Sequence, residues 1–581
     1  MTKDRRQEAY RARVEAAEMA KNRHHPVHLA NGDEQRFAAA NYAMCFTKGL
    51  PHSATTGLIN DRRDFEAFRK AIDEGSIGPF SMGVPVATAC EARRYWEAPT
   101  AGTAFDLEGP DAQAVTMAPA PALGSDELAY EMAEVYELAL IRDVPLTELR
   151  TSGSSTAVAD SVNRLNALAY RPAEGPGRGR KTDAAGDVTA QTVFRGSSTG
   201  VEVGPYLSQF MLIGSVDQGG ASAVADGRIT FGAQQIDQRV PVASATDYMT
   251  DANSWLEVQR GCAIPGSATL VDPVPRRFIL TPRDLATYVH FDALYQAYLK
   301  ACLILLGMGT PFDPGFGALS GQGGLFALES NGTHRQFDRQ AGGFALYGGP
   351  HILTLVTEVA TRALKAVRYQ KFNNHIRLRP EALAGRIEFA PAIEAQFPGV
   401  GAMFQDMEAA IQPVVTEVRS ANGTAFLPMA FAEGSPMHPA YGAGHATVAG
   451  ACVTILKAFF DTSTAFVRRP TGGDPVEAFS HRRPDDTPLA YVPDGTGAAL
   501  VAETDGPFLT LEGELNKLAA NISIGRNMVG VHYFSDYYDS LRMGEEIAIG
   551  LLEEQAICYP TDPFVLTVPT FDGGVRRIGA R

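Results

Sequence analysis

From about Pro282 onward, apolar residues recur at three- and four-residue steps in one segment after another, and this repeat limits the fold more than any other feature. Leu285 to Leu306 carries it. Pro350 to Phe372 carries it with Leu353, Val356, Val359, Leu364 and Val367 on one stripe. Val400 to Val414, Gly444 to Phe460, Asn516 to Val531 and Asp536 to Glu554 follow the same pattern. In the Gly444 segment, Val448, Cys452, Ile455 and Phe459 are spaced by four, three and four. No strand–helix alternation and no internal repeat is visible. The expected fold class is therefore all-α, built from helical bundles with few short strands. Elsewhere the pattern is weaker. Residues 4–22 read as a helix, and 100–127 as irregular. The Gly- and Arg-rich stretch 172–201 reads as an exposed loop, Arg228 to Gly232 as a short strand, and 462–510 as a long surface excursion.

Three polar segments interrupt the apolar ones. The first is Lys371-Phe-Asn-Asn-His-Ile-Arg377-Leu-Arg379-Pro380. Lys371 and Arg379 are eight residues apart, two helical turns, and share a side if the helix persists; Pro380 would then stop or redirect it. The second is His438-Pro-Ala-Tyr-Gly442-Ala443-Gly444-His445, which opens a helix. Its glycines permit close backbone approach, and a helix N-terminus presents free N–H groups to an anion. The third runs from Gly525-Arg526 to His532 and Asp536. His532 and Asp536 are four apart, so the carboxylate can hold one imidazole nitrogen and free the other. Taken singly, each segment is equally an ordinary surface or helix-end feature. Taken in this order, they supply one lysine, two arginines and two histidines around a tetrahedral anion.

Net charge narrows the partners. At −15 the chain is not expected to bind nucleic acid, so the run Lys365, Arg368, Lys371, Arg377, Arg379 stands against the background. Apolar runs such as Ala301 to Leu306 are too short to span a bilayer, and Met1-Thr-Lys-Asp-Arg-Arg opens no secretory signal; a cytoplasmic location is expected. Six scattered cysteines contain no CxxC pair. Cys302 and Cys452 read as buried thiols, and one or two disulfides remain open among the six.

The Lys–Arg-Pro, Gly-His and Arg-x5-His-x3-Asp segments resemble the vanadium-dependent haloperoxidases, closest to the algal-type bromoperoxidases and their bacterial relatives. The Lys-to-Arg step of eight and the upstream His438 favour that branch over the related acid phosphatases. Asn31-Gly-Asp-Glu34, Lys48-Gly-Leu-Pro-His52, Glu358-Val-Ala-Thr-Arg362, Leu378-Arg-Pro-Glu-Ala382 and Leu515-Asn-Lys-Leu518 extend the likeness over nearly the whole chain.

The resemblance implies a single mainly helical unit over 1–581, with 1–280 peripheral and oligomer-forming and 281–560 a vanadate-binding core. It implies that Lys371, Arg379, Arg526, the Gly444 N–H and His445 bind vanadate. His532 would be the axial metal ligand, oriented by Asp536. Lys371, His445 and His438 would serve catalysis. The substrates implied are bromide or iodide, hydrogen peroxide and an electron-rich organic acceptor, and the assembly a homo-oligomer, dimer to dodecamer. Phosphate competes for such a cup, and phosphate-ester hydrolysis there is the alternative activity. Some relatives also hold calcium; Asn331 and Asp338 lie in an oxygen-rich loop, but a solvated turn explains that loop better. Two positions depart from the family pattern. Ala443 stands where relatives carry the serine of Pro-Ser-Gly-His, and Gly525 stands where many carry serine. A hydrogen bond to a charged group is worth roughly 1.5–3 kcal/mol, so Ala443 implies a weaker grip on the oxyanion.

Overall fold

The computed structural model describes residues 4–88, 90–150, 155–172, 178–215, 224–264, 270, 275–320, 343–559 and 561–579. Helices dominate, joined by long connections and short antiparallel strands. The Gly444–Phe459 helix lies at the centre, and every residue in it except His445 is buried. It packs against the Gly349–Tyr369, Leu511–Val529 and Phe534–Ala556 helices. Two glycines permit the closest of these approaches. A Cβ on Gly450 would strike the Leu541 carbonyl, and one on Gly544 the Thr447 carbonyl. The core cluster draws on residues from Phe37 to Ile578.

Capping sets several helix starts. Ser125 caps Asp126–Leu140, Thr510 caps Leu511–Val529, and Thr281 with Asp284 forms a capping box for Pro282–Phe291. The expected Leu285–Leu306 helix is two helices, Pro282–Phe291 and Gln296–Gly307, bent by 99°. Asp292 leaves the first in extended conformation, and the Gln296 side chain accepts the Ala293 N–H at 3.1 Å. Periodicity survives such a hinge because both helices keep an apolar face. Among the described residues no single helix is long and apolar enough to cross a membrane.

Two other regions differ from expectation. Residues 462–510 form antiparallel sheet rather than a structureless excursion. Ala465–Arg469 pairs with Val476–Ser480, Thr487–Pro488 and Leu509–Thr510, and Ala490–Pro493 pairs with Leu500–Glu503. Aromatic packing drives this: Phe479 stacks on Phe466 and on Phe210, each at 5.0 Å. In the 178–201 part of the presumed exposed loop, Arg178, Arg180 and Arg195 are buried. Arg180 donates to both Glu134 oxygens (3.1 and 2.6 Å) and lies 3.6 Å over the Phe534 ring. Residues 173–177 of that stretch lie outside the described ones. Cys90 and Cys262 form a disulfide; Cys45, Cys302 and Cys452 are buried free thiols, and Cys558 is an exposed one. Asn331 and Asp338 also lie outside the described residues.

Candidate active site

The helix that carries the first polar segment does not persist. It ends at Tyr369 and passes into a wider turn over Gln370–His375, after which Ile376 takes a left-handed conformation (φ 43°). Phe372 and Ile376 anchor this turn in a small apolar cluster with Phe46, Phe65 and Phe68. Lys371 therefore faces inward from the turn. Arg379 precedes the Pro380–Glu388 helix, where Pro380 is the first residue rather than the terminator. The third segment is likewise not one helix. Leu511–Val529 ends at Gly530 (φ 98°), His532 sits in the link, and Asp536 lies in the first turn of Phe534–Ala556.

These breaks bring the side chains together. Lys371 is fully buried and its Nζ donates to the Pro439 and Ala440 carbonyls at 2.6 and 3.0 Å. Arg379 donates to the His438 carbonyl (2.9 Å), the Val531 carbonyl (2.7 Å), His438 Nδ1 (2.7 Å) and His532 Nε2 (3.0 Å). Among the described residues neither cation has a carboxylate in hydrogen-bonding contact. Burial pulls the Lys371 pKa well down, helped by Arg379, Arg368 and Arg526. Burial also pulls Arg379 down to about 9.

An arginine donates only, so His532 Nε2 presents a lone pair toward Arg379. Its Nδ1 proton goes to Asp536 Oδ2 at 2.7 Å. Burial, then Arg379, Lys371 and Arg526, hold His532 well below the ordinary histidine pKa. The ring is neutral, with its tautomer set and its Nε2 available as a ligand.

Arg526 donates to the Val289 carbonyl at 2.9 Å, while its buried Nε has no hydrogen-bond partner among the described residues. His445 Nε2 meets Asp292 Oδ1 at 3.1 Å. Ala443 is the N-cap of the Gly444–Phe459 helix and makes no side-chain cap, so the amides of that helix start are open toward the site. The Ala443 N–H itself donates to Ser540 Oγ at 2.8 Å. Gly442 tolerates no side chain, because a Cβ would strike Ser540 Oγ and Met117.

Sequence reading missed Asp292 and Glu97. Asp292 was hidden inside an apparently continuous helix. Glu97 stands in no motif; its carboxylate lies 3.4 Å from His438 Nε2 and 3.6 Å from an Arg368 nitrogen. Gly525 packs against Val289 and Leu285 rather than into the cup.

Buried cations without carboxylates, an unpartnered Arg526 Nε and an open helix start all call for a multiply charged oxyanion. The donor set fits vanadate, and a neutral imidazole Nε2 fits a bond to its metal. No family model matches the chain. It is similar to the vanadium-dependent bromoperoxidases of Corallina pilulifera and Corallina officinalis, each 41% identical over 98% of both chains. It is also similar to that of Ascophyllum nodosum, 31% identical over 96% of this chain and 89% of the relative. A solved homohexameric structure of a second vanadate-dependent bromoperoxidase from Ascophyllum nodosum shares the fold, with a TM-score of 0.79 at 24% identity over 99% of this chain and 90% of that one. On that full-length identity, the chain belongs to the vanadium-dependent bromoperoxidase family.

Proposed function

We propose that this protein uses bound vanadate to oxidise bromide with hydrogen peroxide, releasing a hypobromite-level oxidant that brominates electron-rich organic acceptors. One observation carries the reading: uncompensated buried cations surround a histidine whose Nε2 is kept as a lone-pair donor. When bound, vanadate supplies the Lewis-acidic centre at which peroxide becomes electrophilic.

The chain's residues do the rest. Lys371, Arg379 and Arg526 neutralise the oxyanion, and the Gly444 N–H adds a donor at the positive end of its helix. His532 Nε2 would hold the metal, and Asp536 keeps the ring in register. Asp292 takes the Nε2 side of the His445 ring, which leaves Nδ1 as the nitrogen that would accept and return a proton. Arg379 holds His438 beside this cup through both its ring and its carbonyl. Phosphate, with the same shape and charge, competes for the cup. Self-association of the chain is supported by the homohexameric relative, and light scattering of the purified protein tests it.

The test is bromination of a 1,3-diketone by metal-free protein, with bromide and peroxide, titrated with orthovanadate. Saturable activity that needs vanadate and is lost in His532→Ala is the expected result. Vanadate-independent hydrolysis of a phosphate ester, with no bromination, would overturn the reading in favour of a phosphatase.

A further inference from the structure

The carboxylates facing the cationic cup are not equivalent. Asp292 and Asp536 are buried, and each binds a histidine. Glu433 is largely buried and meets His290 Nε2 at 3.1 Å. Glu97 is different: its side chain is 43% exposed, yet it reaches inward to His438 and Arg368.

Its placement is built rather than incidental. The Glu97 N–H donates to the Met437 carbonyl at 3.1 Å, one residue before His438. Arg94 donates to the Glu433 and Ser435 carbonyls (3.2 and 3.4 Å), and the Trp96 indole to the Lys48 carbonyl at 2.9 Å. Upstream, the Cys90–Cys262 disulfide ties the same strap to the end of the Ala252–Gln259 helix. A solvated surface glutamate needs none of this.

The two groups it touches are buried donors lying behind a partly exposed carboxylate. Arg368 is nearly all buried, its Nε has no hydrogen-bond partner among the described residues, and another of its guanidinium nitrogens lies 3.9 Å from where a Cβ on Gly444 would stand. It thus lies between the rim carboxylate and the helix start that lines the cup. His438 accepts from Arg379 through Nδ1 at 2.7 Å, a closer contact than the 3.3 Å to the Pro439 carbonyl. Its ring proton is therefore on Nε2, aimed at Glu97. Both groups are donors suited to a monatomic anion, and Glu97 engages both at distances longer than a firm ion pair. Its charge also reaches Arg526.

Resting on the haloperoxidase reading, we infer that Glu97 is a specificity-determining residue that sets halide affinity: its carboxylate competes with bromide for Arg368 and His438 at the mouth of the site. Weakening halide binding in this way lets bromide in and out of a strongly cationic cup without being trapped there.

The experiment compares wild type, Glu97→Gln and Glu97→Asp. In steady-state bromination, Glu97→Gln is expected to lower the bromide KM by about threefold to tenfold with a smaller change in kcat, while Glu97→Asp, which keeps the charge on a shorter arm, lowers KM less than Glu97→Gln does. Chloride-35 line broadening, displaced by bromide, is measured on the metal-free and vanadate-loaded proteins without peroxide. Tighter halide binding in Glu97→Gln is expected in both. An unchanged or raised KM in Glu97→Gln, equal changes in Gln and Asp, or unchanged halide binding would each overturn the inference. The metal-free titration reads Glu97 even if wild type fails to brominate, so the two failures are separable.

Discussion

Arg377 and Arg379 are two residues apart, both buried, and opposite in use. Arg377 points toward carboxylates: its Nη2 meets Glu131 at 3.0 Å and its Nη1 meets Asp536 at 2.8 Å and Ser535 Oγ at 2.7 Å. Burial opposes its charge, but Asp536 and Glu131 outweigh burial and push its pKa up. Arg379 points toward carbonyls and neutral imidazoles, and burial pulls its pKa down to about 9. One arginine is a finished ion pair that holds helices together. The other has no such pair and, on the proposed function, would be completed by a ligand. Asp536 joins them, binding Arg377 with one oxygen and His532 with the other. Charge and burial alone do not distinguish a binding arginine from a structural one; the identity of the acceptors does.

Breaking the structural half gives the largest expected effect. Arg377→Met strands Glu131 and Asp536 as buried charges, and a loss of about 3–5 kcal/mol is expected in urea unfolding of the metal-free protein. Arg379→Met removes a cation with no carboxylate to strand. Its metal-free stability is expected to change far less than that of Arg377→Met. Vanadate-dependent bromination should fall about a hundredfold to a thousandfold. Equal destabilisation by the two substitutions would erase the distinction.

A smaller change sharpens the unfinished side. Ala443→Ser offers a hydroxyl at an uncapped helix start. If it reaches the oxyanion, bromination at limiting vanadate is expected to rise about tenfold to a hundredfold. A gain of about 1 kcal/mol in metal-free stability with no gain in activity would mean that it caps the helix instead.

A last test varies pH. His438 and His532 are held well below the ordinary histidine pKa by burial and by neighbouring cations. Their folded values lie below the unfolded value near 6.5, so the unfolded chain binds more protons between the two. Stability is thus full above about pH 6.5 and falls as pH drops beneath it, by about 1.4 kcal/mol per pH unit per histidine. Urea unfolding between pH 7 and 5 measures this slope. Adding vanadate or phosphate should raise the whole curve, because an anion offsets the cations that depress those values.

Much of this was legible in the residues. The apolar repeats located the long helices, and the three polar segments named the cationic side chains that the fold gathers. What stayed hidden were the breaks. A period of 3.6 reports which face is buried but not whether the axis turns, so the hinge at Asp292 and the wide turn at Lys371 read as continuous helix. Single residues supplied from afar were hidden for another reason. Glu97 and Asp292 belong to no motif, and only three-dimensional packing sets each beside its histidine. The sheet in 462–510 was masked by its Pro and Gly residues, which read as breakers although the phenylalanines between them pair across strands.

The wide spread of the site along the chain has a consequence for its birth. Glu97 is made early, Asp292, Lys371 and His438 follow, and His532 and Asp536 come last. Domains fold during synthesis as their residues emerge. Until the last segment emerges, the nascent chain holds Lys371 and Arg379 without the imidazole they surround, and Arg377 without the Asp536 carboxylate that neutralises it. The cationic cup is therefore one of the final things this polypeptide acquires, and on the proposed function metal capture would belong to the finished protein rather than to the ribosome-bound one.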